Sequence, residues 1–280
     1  MAPAASAASS QARCRAERAS LMSSSNAARS ARHRAWLLAA LAAGATIATL
    51  RRFAQEINKT DPDAALDPRS VLQPQGPDDE SERPFKQTTD TTCGSSSLVY
   101  ASLLRDPVLA LEVLTGYDAT TDSHAGGTPG ERFAELEAEM KSRTDDPRVD
   151  PDGGWGPDNV SMPWIPALGT SPWAAAEELN AIAPDGVRYG VDLIDPGSPT
   201  DREDAYRSLV ESTDQGNPAV LYVGNETSPR HVALVYGHAD GSIEIYEPFQ
   251  GERVVVTQAQ FVSGEFSVAG WAKPWAVVAP

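Results

Sequence analysis

The chain has 280 residues, 39 acidic and 23 basic side chains, a net charge of −16 and two cysteines. That length allows one substantial core plus appendages. The acidic excess argues against a nucleic-acid partner, because phosphate would be repelled, and two cysteines rule out a disulfide scaffold or a Cys-x-x-Cys zinc site.

Charge divides the chain unevenly. Residues 1–55 hold eight arginines and one acid, net +7, whereas residues 56–280 are net −23. Residues 1–34 are Ala/Ser-rich with scattered arginines and no apolar periodicity, which predicts a disordered basic tail. Residues 35–52 form an apolar anchor or signal segment. Its uncharged run, Ala35 to Leu50, has 16 residues, about 24 Å as a helix against a bilayer core of about 30 Å. Six arginines precede that run, and Arg51 and Arg52 follow it. The first reading is a membrane partner contacted through residues 35–50, with the C-terminal domain outside the cell membrane. A cleaved export signal giving a secreted protein, and an Ala-rich helix of a soluble one, are the alternatives. Met22 offers another start. Residues 53–84 read as a Pro/Asp-rich linker, with Asp61-Pro62, Asp67-Pro68 and Gly76-Pro77.

Residues 85–280 carry the folded domain. Thr91 or Thr92 can cap a helix running to about Leu104, and Asp106-Pro107 interrupts it before a second apolar stretch, Val108 to Leu114. Thr128-Pro129 with Glu131 opens a further helix whose face is lined by Phe133, Leu136 and Met140. Residues 145–170 form a long irregular segment with Trp155 and Trp164. Ser171-Pro172 starts a helix through Leu179 and Ile182, residues 188–194 suggest a strand, and 201–210 another helix. The remainder is β-rich, with strands at 219–223, 231–236, 243–246, 253–256 and 271–278. Helices first and an antiparallel sheet after make an α+β class.

Cys93 stands just ahead of an apolar helical run, where a helix N-terminus favours a thiolate. Gln87, six residues earlier, can offer a side-chain N–H to an oxyanion. His231 is the candidate base. Glu247 lies in the same predicted hairpin, where a three-residue loop Ala239-Asp240-Gly241 puts it two residues from directly opposite His231. A two-residue Asp240-Gly241 turn would send it to the other face. The other histidines fit less well: His238 in the turn, His124 in a Gly-rich loop, His33 before the apolar segment. Trp173, Trp271 and Trp275 read as packing residues. The chain shows no His-Glu-x-x-His, no Walker loop and no Gly-x-Ser-x-Gly elbow, so no cofactor or metal is expected.

Gln87-x5-Cys93-Gly94, His231 to Gly237 and Glu247-Pro248 together resemble the papain-like cysteine peptidases of the bacteriocin-processing type, and more closely their stand-alone bacterial members. The resemblance spans roughly residues 85–250. It implies a papain-like fold with the nucleophile at a helix start, a peptide or protein substrate, Cys93 attacking, His231 as base and Gln87 in the oxyanion hole. In the family an Asp or Asn orients the histidine, and here Glu247 occupies that place. Acyl transfer to an amine and a non-catalytic binding module are the competing functions.

Overall fold

The computed structural model describes residues 85–118, 123–145 and 169–280, all within one compact unit, Leu72–Pro280. The basic tail, the apolar segment, the linker, Trp155 and Trp164 lie outside these residues.

Helix starts follow a repeated local rule: a polar N-cap, then proline in the first turn, where its missing N–H costs nothing. Asp106 both ends α1 (Cys93–Arg105) and caps α2 (Pro107–Thr115), accepting from the amides of Val108 at 2.8 Å and Leu109 at 3.1 Å. Gly116, in the left-handed region, closes α2 ahead of a two-stranded ribbon, β1 (Tyr117–Asp118) and β2 (Ser123–His124). A reciprocal Thr128–Glu131 capping box opens α3 (Pro129–Thr144). Ser171 caps α4 (Pro172–Ala181), and Ser198 caps α5 (Pro199–Asp214).

The strands β3 (Gly190–Leu193), β4 (Ala219–Gly224), β5 (Pro229–Ala239), β6 (Ser242–Glu247), β7 (Glu252–Thr257) and β8 (Lys273–Ala279) form one antiparallel sheet. Their order is β3-β8-β4-β5-β6-β7. A short helix, α6 (Gln258–Ser263), follows β7 and was not expected from the sequence.

Side chains alternate between two cores because successive strand residues point to opposite faces. Val232, Leu234 and Tyr236 of β5 join Leu98 and Val99 of α1, Phe133 of α3 and Leu179 of α4. Ala233 and Val235 join Leu209 of α5 and Phe261 of α6. Full burial of a side chain such as Leu98 or Leu234 stabilises by about 1.5–3 kcal/mol. The expected α+β arrangement is observed: N-terminal helices pack on a C-terminal antiparallel sheet, with Cys93 opening α1.

One expectation is corrected. No helix among the described residues is long and apolar enough to cross a membrane. Membrane attachment as partner and location is therefore not supported. Residues 35–50 themselves lie outside the described residues, and their uncharged run falls short of the roughly 20 residues a span requires.

Candidate active site

Cys93 is the first residue of α1, and it is free and buried. A tight turn delivers it. Thr92 donates its amide to the Thr89 carbonyl at 3.2 Å, and the Thr89 amide donates to the Thr92 hydroxyl at 3.0 Å. Thr92 holds the N-cap position as expected, but its hydroxyl is spent on Thr89 and does not cap the helix. The first amides of α1 thus carry no side-chain cap. Gly94 lets the helix approach Thr170 closely, since a Cβ there would fall 2.6 Å from the Thr170 Cβ.

His231 sits near the start of β5, and Glu247 ends β6. The loop between these strands is shorter than the sequence reading assumed. Ala239 pairs with Ser242, so Asp240 and Gly241 alone make the turn, both at positive φ (53° and 73°), as a type I′ hairpin requires. By itself that register would carry Glu247 to the wrong face. A β-bulge at Tyr236, between the pairs Val235–Ile245 and Gly237–Glu244, absorbs the missing residue and restores the parity. Continued by one step from Leu234–Tyr246, the ladder sets Glu247 opposite Ala233, two residues from His231.

The side chains meet accordingly. His231 Nε2 lies 2.8 Å from Glu247 Oε1, with His231 6% and Glu247 0% exposed. The contact is a close ion-pair approach. Glu247 is held by its own turn: Oε1 accepts the Phe249 amide at 2.6 Å and Oε2 the Gln250 amide at 2.9 Å. Cys93 acts on the ring as well, favouring its protonated form. Burial works against a charged ring, but the hydrogen bonds and negative charges of Cys93 and Glu247 outweigh it, raising the His231 pKa to about 9. Arg230, next to His231 in the chain, is exposed.

Tyr222 of β4 completes the wall near the sulfur. Burial pushes its phenol well up, the Cys93 charge adds to this, and its hydroxyl donates to the Thr170 carbonyl at 3.1 Å. A thiol, an imidazole and a carboxylate are the group set of nucleophilic thiol chemistry.

No family model matches the chain, and no curated protein matches it. Among solved structures it is similar to the peptidase domain of Streptococcus ComA, a bi-functional ABC transporter involved in a quorum-sensing pathway. That match has 13% identity and a TM-score of 0.35, and covers 70% of this chain and 96% of that one. The peptidase domain of Streptococcus mutans ComA matches at 18% identity and a TM-score of 0.25, over 40% of this chain and 77% of that one. Similarity at this level carries no weight for activity.

Gln87 is tied to the same corner through its backbone, its amide donating to the Pro248 carbonyl at 2.8 Å. Its side-chain Nε2 donates to the Thr89 carbonyl at 2.7 Å, and its Oε1 is buried without a partner. The remaining described histidines stand elsewhere: His238 pairs with Asp214 at 3.1 Å, and His124 lies against the Tyr117 ring. Trp173, Trp271 and Trp275 are partly buried against the two cores. Sequence reasoning missed Glu137, a fully buried acid on α3 that accepts hydrogen bonds from Thr88 and Ser96. The available signal was an acid at position 137 on the stripe 133, 137, 140, 144, whose other members are buried.

Proposed function

We propose that the protein is a thiol hydrolase acting on peptide or protein substrates, with Cys93 as nucleophile, His231 as acid and base, and Glu247 orienting the ring. The observation that supports this reading is one buried imidazole 2.8 Å from a buried carboxylate, its proton favoured also by Cys93, a free and buried cysteine at a helix start. The imidazole takes the thiol proton, and the thiolate so formed is the attacking group. Attack forms an S–C bond to the scissile carbonyl, and the oxyanion is met by the Cys93 amide and the Gln87 side chain. Nε2 of Gln87 carries two hydrogens, of which Thr89 takes one and the oxyanion the other. Collapse breaks the C–N bond as the imidazolium passes its proton to the leaving amine, giving a thioester. Water then attacks, losing a proton to the imidazole, and the S–C bond breaks to release the acid and restore the ion pair. Glu247 takes no proton and holds the ring in place.

Labelling by thiol-directed electrophilic probes tests this. Wild-type protein is expected to label at neutral pH, Cys93→Ala not at all, and His231→Ala far more slowly. Absence of wild-type labelling across several electrophiles would leave only a binding module of the same fold.

A further inference from the structure

One buried side chain behind the nucleophile is unused by that mechanism. Glu137 lies on the inward stripe of α3 between Phe133 and Met140, wholly buried. Its partners among the described residues are hydroxyls and a backbone amide. The Thr88 amide lies 3.1 Å from both carboxylate oxygens. The Thr88 hydroxyl donates to Oε2 and the Ser96 hydroxyl to Oε1. Thr88 directly follows Gln87. Ser96 stands one helical turn beyond Cys93, so it moves with the first turn of α1.

A single carboxylate therefore joins the segment that bears the Gln87 amide to the helix turn that bears the sulfur. We propose that Glu137 is a positioning residue that sets the distance between the Gln87 amide and the Cys93 amide, the two donors of the oxyanion hole. The proposal rests on the hydrolase reading above. A carboxylate suits the task because its two oxygens accept from several directions at once. Glutamine turns an NH2 group toward one of those donors, and aspartate falls one methylene short. The same helix braces the far side of the nucleophile: the hydroxyls of Thr144 and Thr170 lie 3.1 Å apart, and Thr170 rests against Gly94.

Glu137 is not among the groups that raise the His231 pKa, which are Cys93 and Glu247. A positioning role for the oxyanion hole must therefore separate two reactions of the same sulfur. Alkylation by iodoacetamide passes through no oxyanion, whereas acylation by a p-nitrophenyl ester does. The experiment compares both rates, across pH, in the full chain and in Glu137→Gln. Acylation is expected to fall about tenfold to a hundredfold, as for a misplacement of reacting groups, while alkylation stays within about twofold. The pH dependence of alkylation is expected not to move. Thr88→Ala and Ser96→Ala each remove one donor by a small truncation, and are expected to act in the same direction by less. They decide the matter if Glu137→Gln does not fold. Parallel losses in both reactions, or no loss in acylation, would overturn the proposal and leave Glu137 a structural group. Failure of the hydrolase reading looks different: wild-type protein itself would not be acylated, and the proposal would fall with it.

Discussion

Replacing Glu247 with Gln removes a negative charge 2.8 Å from His231 Nε2 and keeps most of the side-chain shape. The ring titrates at about 9 against an ordinary 6.5, a difference worth about 3 kcal/mol. Burial opposes that charge, so the compensation comes from Cys93 and Glu247. Removing the carboxylate takes away one of the two sources that hold the proton on the ring, and so lowers the proton affinity of the ring. The His231 titration, followed by NMR on the imidazole Cε1–H, should move down from about 9 in Glu247→Gln. The upper limb of the pH–turnover profile should move with it. Stability follows with a defined sign. Because the folded-state pKa is raised, the stabilisation is fully present below about pH 6.5 and is lost as pH rises through about 9. The stability gap due to this charge should be widest below pH 6.5 and close above pH 9. An unchanged titration midpoint would refute the assignment of Glu247 as partner to the ring.

Two further substitutions probe the frame around the sulfur. Gly94→Ala would place a Cβ 2.6 Å from the Thr170 Cβ and 2.8 Å from its hydroxyl. Thr170 is held by Thr144 and Tyr222, so overpacking should cost about 1–3 kcal/mol in denaturant melts; an unchanged midpoint would show that the two segments separate freely. Gln87→Ala should slow turnover by about 10²–10³, the usual cost of one lost oxyanion donor, and spare alkylation of Cys93. Equal loss of both would mean that Gln87 supports the loop and not the oxyanion.

Element positions were legible because the local chemistry is explicit. Asp106, Thr128 and Ser171 each stand before a proline at a helix start, and the strands alternate between two cores. The short polar helix Gln258–Ser263 escaped because its main signal is the Thr257–Gln260 capping box over six residues. The approach of Glu247 to His231 rests on a register other than the three-residue loop expected from the sequence. Turn length alone predicts the wrong face. The bulge at Tyr236 is a tertiary feature, set where Tyr236 packs into the helical core beside Tyr100. Glu137 was overlooked because the apolar face of its helix was read through Phe133, Leu136 and Met140. A carboxylate on that face gains its meaning only from Thr88 and Ser96, 49 and 41 residues away. The membrane expectation finds no support because no helix among the described residues is long and apolar enough to span a bilayer, and residues 35–50 lie outside them.

Whether Cys93 forms a covalent acyl intermediate under the control of His231 is decided most directly by intact-mass measurement. Protein quenched within the first turnovers of an activated peptide ester should carry one acyl group, lost on incubation and mapped to Cys93. His231→Ala should accumulate little or none. A mass that never changes, or an adduct that forms equally fast without His231, would contradict the account.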